Sequence, residues 1–265
     1  VPTHKRMLYD CISMLRAEYP ARLPFLTVMG NHDFRGKGAR RAYLDFAEPF
    51  MAREIASLTG TDATVKYPVF SFRLGADRWV FCDFETTDLQ PVIDAVESDA
   101  DARHVFLVTH GPFTISEERS FGWRLGGGEK CDALRPRLYE ALSRRRAVVL
   151  SGHTHLTTFY RHENAFGGFC EFTANSVWKK ELASLKTGEA LCDRPEQVGT
   201  IAAKLLEGDR LDRFKRELEL FRPSVKEYFN SKAAGHCRLD VSDDGIAMSF
   251  YQGDETVPTR RFILK

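Results

Sequence analysis

The beginning of the chain alternates between helical and extended hydrophobic patterns. Apolar residues recur at helical spacing over residues 4–19, which predicts an amphipathic helix. The run LPFLTVM at 23–29 is continuously apolar and ends at a glycine, which is typical of a buried strand. Residues 38–58 return to the helical pattern, with Pro49 as a candidate break. This part of the chain therefore predicts a helix, a strand and a second helix.

Strands and helices continue to alternate up to residue 175. The runs VFSFRL (69–74) and RWVFCDF (78–84) are strand-like, and the glycine-containing turn between them predicts a hairpin. Because strands alternate with helices, the pattern predicts a layered α/β domain. The remaining predicted elements are helices over 88–98 and 132–146 and strands over 104–109, 147–151 and 168–175.

The last third of the chain predicts a helical insertion followed by a hairpin. Residues 177–235 form the insertion, and the charged stretch 195–230 within it has an amphipathic helical pattern. Two interpretations are open, a helical layer packed on the sheet or a cap or dimer surface. The runs HCRLDV and IAMSFY flank an Asp-Asp-Gly turn and predict a C-terminal β-hairpin over about 236–251. We interpret residues 1–265 as a single domain that carries this insertion.

Composition and charge narrow the class of partner. Of the 265 residues, 43% are hydrophobic and 28% are charged, which is ordinary for a globular protein. The net charge of +1 gives no signal for nucleic-acid binding, and no apolar stretch is long enough to span a membrane. The six cysteines are widely spaced and form no C-x-x-C pair, so the cellular compartment stays open.

Three predicted strands end in polar segments that carry histidine. They lead into GNHD at 30–33, His110, and GHTH at 152–155. In open α/β sheets ligands collect beyond the carboxyl ends of the strands, so these segments are expected to face one crevice. Residues two apart in an extended segment point the same way, so His153 and His155 are expected to face the site together. Imidazole suits zinc, iron and manganese, which makes this a candidate metal site.

The order of these segments resembles the calcineurin-like metallophosphoesterase family. The resemblance covers roughly residues 1–176 and rests on GNHD, the strand-end His-Gly and GHTH. It implies an α/β/β/α fold, which is a layered β-sandwich flanked by helices. It also implies hydrolysis of phosphate mono- or diesters at two transition metals, which are Mn, Fe or Zn. By this resemblance Asn31, His110 and His153 bind one metal, His155 binds the other, and His32 is the general acid.

Two segments typical of the family are missing. The family opens with D-x-H and G-D-x-x-D, and neither precedes GNHD in this sequence. We therefore expect an amino-terminally truncated sequence that lacks the first strands and their carboxylates. The dinuclear site then belongs to the complete protein, and this chain alone is expected to be inactive. The alternative is a non-catalytic scaffold or binding module of the same fold, although the retained Asn31 and histidines favour truncation.

Two further features near the candidate site stay open. Loop 111–130 is long, and its Gly126–Gly128 run allows movement. Its aromatic residues either shape the substrate pocket or fold back into a core. Four cationic residues after GNHD either attract a phosphate group or form the solvated start of a helix. The aromatic residues are Phe113, Phe121 and Trp123, and the cationic ones are Arg35, Lys37, Arg40 and Arg41.

Overall fold

The computed structural model describes residues 10, 12–14, 17, 24–175, 190–200 and 206–265. Most of the predicted helix over 4–19 lies outside these residues, as do 176–189 and 201–205 of the predicted insertion. The helices are α1 (Ala39–Thr59), α2 (Gln90–Glu97), α3 (Glu118–Gly122), α4 (Glu129–Arg145) and α5 (Gly208–Phe221). The strands are β1 (Val69–Leu74), β2 (Asp77–Cys82), β3 (Val105–Thr109), β4 (Val148–Ser151), β5 (Thr157–Asn164), β6 (Gly167–Thr173), β7 (Ala190–Cys192), β8 (Val225–Ser231), β9 (Gly235–Val241), β10 (Ile246–Gln252) and β11 (Arg260–Ile263).

The strands form two sheets. The larger sheet has eight strands in the order β1-β2-β3-β4-β6-β5-β8-β7. Its centre is parallel, because β2, β3, β4 and β6 run in the same direction, whereas β1 and β5 pair antiparallel with their neighbours. Strands β9, β10 and β11 form a second, antiparallel sheet. The parallel centre brings the carboxyl ends of β3 and β4 to one edge, where ligands collect in such folds.

Different layers cover the two faces of the large sheet. In β2, Val80 and Cys82 belong to a core shared with α2, α4 and α5, whereas Phe81 points to the opposite face. That opposite face packs against α1 at one end and against the three-stranded sheet at the other. Phe159 and Phe262, with ring centroids 4.9 Å apart, join the two sheets. The predicted α/β layering, with two stacked sheets and flanking helices, is confirmed.

Residues 24–30 do not form the buried strand that the sequence predicted, and they join neither sheet. Their backbone groups find other partners. The Phe25 N–H donates to the Glu54 carboxylate at 2.9 Å, and the Met29 carbonyl accepts from the Phe84 N–H at 3.1 Å. The prediction failed because a continuous apolar run indicates burial, and Met29 is fully buried, but it does not supply a neighbouring strand.

Helix α1 is continuous through Pro49, so the predicted break is wrong. Phe46 and Phe50 are buried in a core with Phe81 and β1, whereas Pro49 faces solvent. Water can satisfy the carbonyl group that loses its partner at the proline, and the packed face holds the helix together. Tertiary packing therefore overrides the local signal.

The second half contains strands that the sequence pattern did not reveal. Strand β5 lies between β6 and β8, and it buries polar residues such as Thr157 and His162, which hides its hydrophobic pattern. Strand β8 begins within the stretch 195–230 that was predicted to be helical and ends at Ser231. The described part of the insertion thus holds β7, α5 and β8 and is not helical throughout. Helix α5 packs Phe214 and Phe221 into the core on the helical face of the sheet.

Candidate metal centre

The candidate site lies where β3 and β4 end. These strands are parallel neighbours, so His110 and the segment 152–155 leave the sheet side by side. A hydrogen bond of 3.0 Å from the Gly152 N–H to the His110 carbonyl joins the two exits. The turn at 30–33 reaches the same place although it does not follow a regular strand.

His110 is at the centre of this arrangement. Its Nε2 atom lies 3.1 Å from the Oδ1 atom of Asn31 and 2.9 Å from the Nδ1 atom of His153. All three side chains come from segments far apart in the sequence, and one atom of each points at a common position. The structure thus brings together the three residues that the resemblance assigned to one metal.

A close backbone approach at Gly30 makes this arrangement possible. A Cβ atom at Gly30 would lie 2.8 Å from the His110 ring, closer than real contacts allow. The turn is closed by Asp33, whose carboxylate accepts from the Gly30 N–H at 2.7 Å while its own N–H donates to the Gly30 carbonyl at 3.1 Å. Sequence reasoning gave Asp33 no role. In the structure it holds the turn that presents Asn31.

The GHTH segment faces the site for a different reason from the one expected. Its backbone is bent and not extended, since His153 and His155 have φ angles of 69° and 57°. The Thr154 N–H donates to the Gly152 carbonyl at 2.8 Å, which tightens the bend. Thr154 is buried, whereas both histidines are half-buried and turned outward. Non-glycine residues in this left-handed region cost about 1–3 kcal/mol each, and such strain is concentrated at functional sites.

Burial keeps both central imidazoles neutral. It lowers the pKa of His110 to about 4, and the charges of His32 and His155 lower it further. Burial likewise lowers the pKa of His153 to about 4, with further contributions from His110, His155, Arg119 and His32. Neutral imidazole is the form that binds metals, so both rings are ready to act as ligands at pH 7.

His32 and His155 lie at the edge of this group. His32 is exposed and His155 is half-buried. Each acts electrostatically on both His110 and His153, so each lies within range of charge–charge interaction with the central rings. All five residues proposed from the sequence are therefore placed in one region of the structure.

Buried side chains hydrogen-bond the backbone of loop 111–130 at both of its ends, and its predicted movement stays a prediction. The buried Glu171 carboxylate accepts from the N–H groups of Phe113 and Thr114 at 2.8 and 2.7 Å. At the other end of the loop, buried Arg135 donates to the carbonyls of Leu125 and Gly126 at 3.2 and 2.7 Å. These buried partners replace water along the loop backbone.

Of the three aromatic residues of this loop, two lie in the core and one lies at the site. Phe113 and Phe121 are buried in the core on the helical face, at 0% and 5% exposure. Trp123 instead lies at the site, with its ring centroid 5.2 Å from that of His153. The first two are therefore structural, and only Trp123 borders the candidate metal centre.

Some of the cationic residues near the site form ion pairs with acidic side chains. Arg40 forms ion pairs with Glu85 and with the buried Asp83, and Arg41 lies 3.3 Å from Asp45. Arg35 and Lys37 are exposed. Arg119, which sequence reasoning missed, is exposed and donates to the Thr154 carbonyl at 3.3 Å. It is thereby a cation fixed beside the GHTH segment.

Comparison with known sequences decides the family. A sequence model of the calcineurin-like phosphoesterases matches residues 6–156, which is more than half of the chain. The chain belongs to this family. Among curated proteins, no sequence match is found.

Two solved structures are similar to this chain at low sequence identity. The structure of PhoD is 12% identical with a TM-score of 0.44, and the match covers 89% of this chain and 48% of PhoD. Purple acid phosphatase PPD1 from yellow lupin (Lupinus luteus) seeds gives 12% identity and a TM-score of 0.44, with 90% and 38% coverage. The chain thus spans about half or less of the length of these proteins.

The residues present fit one metal ion. Two nitrogen ligands about 2.1 Å from one tetrahedral metal lie about 3.4 Å apart, so the His110 and His153 nitrogens, 2.9 Å apart, need to separate only slightly to bind one ion. Asn31 adds an oxygen at similar distance. Within the described ranges, no third His, Cys, Asp or Glu side chain joins His110 and His153 to form a metal-binding group. The donor set is therefore neutral, with two histidines and one asparagine.

Proposed function

We propose that this chain carries part of the active site of a metal-dependent phosphoesterase that hydrolyses phosphate mono- or diesters. Membership of the calcineurin-like phosphoesterases supports the reaction class. The observation that carries the proposal is the convergence of Asn31, His110 and His153 on one position at the carboxyl edge of a parallel sheet.

Each residue has a proposed role. Asn31, His110 and His153 would hold one metal, and His155 would belong to a second one, with Mn, Fe or Zn as the candidate ions. When bound, such a metal pair neutralises charge on the phosphoryl oxygens and activates water. Gly30 and Asp33 position the ligands without touching the metal or the substrate.

His32 is proposed as the general acid. It is exposed at the mouth of the site, beside the central histidines, so it can reach an ester oxygen that departs from phosphorus. A protonated imidazole there donates its proton to the leaving alkoxide, which lowers the barrier for departure. Arg119 is placed to attract the anionic ester.

The proposed partner is a small-molecule or macromolecular phosphate ester. The net charge of +1 provides no general attraction for nucleic acids. In the part of the chain that the structure covers, no helix has the length and apolar character needed to cross a membrane.

A second candidate function is a metal-poor binding scaffold of the same fold. It is favoured by the neutral donor set, because the described residues bring no carboxylate to the position shared by Asn31, His110 and His153. Without anionic ligands the affinity for a metal pair is low, and the crevice could serve as a docking site instead.

One experiment separates the two. The full-length protein and its His110→Ala variant are assayed with aryl phosphate mono- and diesters in added Mn²⁺. We expect turnover by the full-length protein and its loss in the His110 variant. Absence of turnover in the full-length protein with every metal tried would support the scaffold and contradict the enzyme.

A further inference from the structure

A row of partly exposed aromatic rings lines one side of the candidate metal centre. Phe34 and Phe84 are stacked with ring centroids 5.7 Å apart, and Phe84 and Trp123 follow at 5.6 Å. Phe84 also contacts His110 edge-on at 5.6 Å and lies nearly parallel to His153 at 6.0 Å. We call Phe34, Phe84 and Trp123 the aromatic wall. Phe84 and Trp123 contact the histidines whose ring nitrogens are the proposed metal ligands.

Trp123 stands out from its neighbours on the same loop. Phe121 and Leu125, two residues to either side, are 5% and 1% exposed, whereas Trp123 is 43% exposed. The loop has room for apolar side chains in the core, yet its largest one is turned toward the metal-binding edge. An indole left half in water beside polar histidines is a surface on which another planar group can stack.

Backbone contacts on both sides of Trp123 hold the segment that carries the indole. The Trp123 N–H donates to the Arg119 carbonyl at 3.0 Å, and the Leu125 N–H donates to the Pro112 carbonyl at 2.8 Å. A Cβ atom at Gly111 would lie 2.3 Å from the Trp123 carbonyl oxygen, so the two ends of the loop are in close contact. The indole itself packs against Phe84 and His153, and a ring supported by such contacts loses less conformational entropy when a ligand stacks on it than a free ring does.

We propose that the aromatic wall selects phosphate esters in which a planar aromatic group is attached close to the phosphate, and that Trp123 determines this preference. This inference rests on the proposed function, because it places the phosphate at Asn31, His110 and His153. The aromatic group of the ester then extends along the wall and covers the exposed part of the indole. An alkyl ester of similar size has no flat face to stack and gains only its apolar contact area.

The test compares phenylphosphonate with butylphosphonate, two non-hydrolysable probes that differ in the planar ring. Binding to the full-length gene product in saturating Mn²⁺ is measured by calorimetry, and turnover is measured separately with phenyl and butyl phosphate. The variants are Trp123→Ala, Trp123→Phe, and Phe166→Ala as a matched control. Phe166 is an aromatic residue of similar exposure, 46%, in the turn between β5 and β6.

We expect the wild-type protein to bind the phenyl probe about five- to tenfold more tightly than the butyl probe. Trp123→Ala should bring the ratio close to one with little change for the butyl probe, and Trp123→Phe should retain most of the ratio. Phe166→Ala should leave it unchanged. Equal affinities in the wild type, a ratio that persists in Trp123→Ala, or no binding of either probe would overturn the inference.

The two proposals can fail separately. A ratio that depends on Trp123 without turnover of any ester would leave the aromatic wall standing and contradict the phosphoesterase. Turnover of both esters with no effect of Trp123 on their ranking would support the phosphoesterase and contradict the selection by the wall.

Discussion

The Nε2 atom of His110 lies 2.9 Å from the Nδ1 atom of His153, although 43 residues separate the two histidines along the chain. Both rings are held neutral by burial, and the Asn31 amide oxygen lies beside them. Two neutral imidazoles facing each other in this way can share one hydrogen bond or bind one cation. A neutral ring nitrogen is a good transition-metal ligand, and the proposed function uses this pair to bind a cation.

The first prediction concerns metal stoichiometry. We expect residues 1–265 to bind at most one Mn²⁺ or Zn²⁺ per chain, since the described donors converge on one position. His153→Ala should weaken this binding at least about tenfold because it removes a ligand. Elemental analysis by mass spectrometry and metal titration provide the measurement. The control is His236→Ala, an exposed histidine on β9. Two tightly bound metals per chain would contradict the prediction.

The second prediction tests the close approach at Gly30. Gly30→Ala places a methyl group 2.8 Å from the His110 ring, so the ring or the turn that carries Asn31 must shift. We expect metal affinity to fall about tenfold or more while the thermal midpoint drops by only a few degrees. Gly127→Ala is the matched control, because a Cβ atom there meets nothing within 4 Å. Unchanged metal affinity in Gly30→Ala would show that His110 does not need its present position.

The site could be located from the sequence because its residues are carried by short, distinctive segments. His110 and GHTH follow the neighbouring parallel strands β3 and β4, and the rule that parallel strands share a carboxyl edge brings them together. GNHD reaches the same place from an apolar run that is not a strand, so the rule does not explain its position. The orientation of GHTH could not be derived in this way. The left-handed backbone of His153 and His155 leaves no trace in the pattern of residue types.

The parts of the fold that were missed depend on contacts between distant segments. The hydrophobic pattern did not reveal strand β5, which lies between β6 and β8, because several of its buried residues are polar. One of them is His162, which forms hydrogen bonds with Thr114 and Ser224. Loop 111–130 was predicted to be mobile because its glycines are visible in the sequence, and this stays a prediction. Its buried partners Glu171 and Arg135 were missed, since nothing local in the sequence connects them with the loop.

The third prediction tests the anchoring of that loop. In Glu171→Gln the amide group replaces one carboxylate oxygen, so one of the two loop N–H groups, at Phe113 or Thr114, loses its acceptor. We expect a loss of about 1–3 kcal/mol in the free energy of unfolding, together with faster proteolysis within 111–130. Denaturant unfolding and limited proteolysis provide the measurements.

The control for this variant is Glu163→Gln, an exposed residue near the end of the neighbouring strand β5. We expect it to change stability by no more than about 0.5 kcal/mol. Equal stability and equal proteolysis rates for the two variants would show that Glu171 does not anchor the loop.

The fourth prediction concerns Asp83, which directly follows β2 and is fully buried. Burial raises its pKa to about 6 from an ordinary value of 3.8. Arg40, 4.0 Å away, lowers the pKa in part, and the charge of Glu85 raises it. The hydroxyl groups of Tyr43 and Tyr67 also interact with Asp83, but they stay protonated because burial raises their own pKa values. Asp83 is therefore the group in this cluster whose raised pKa affects stability between pH 4 and 7.

The sign of its effect follows from proton linkage. Between pH 4 and 6 the unfolded chain holds fewer protons at Asp83 than the folded chain, so stability falls as the pH rises. The favourable contribution is complete below about pH 4 and is lost as the pH passes through about 6. Asp83→Asn has no such titration, so its stability relative to the wild type should improve by about 1–3 kcal/mol between pH 4 and pH 7.

Thermal unfolding across this range provides the measurement, with Asp94→Asn, an exposed aspartate on α2, as control. A difference between Asp83→Asn and wild type that is independent of pH would show that the carboxyl group is ionised in the folded protein over the whole range.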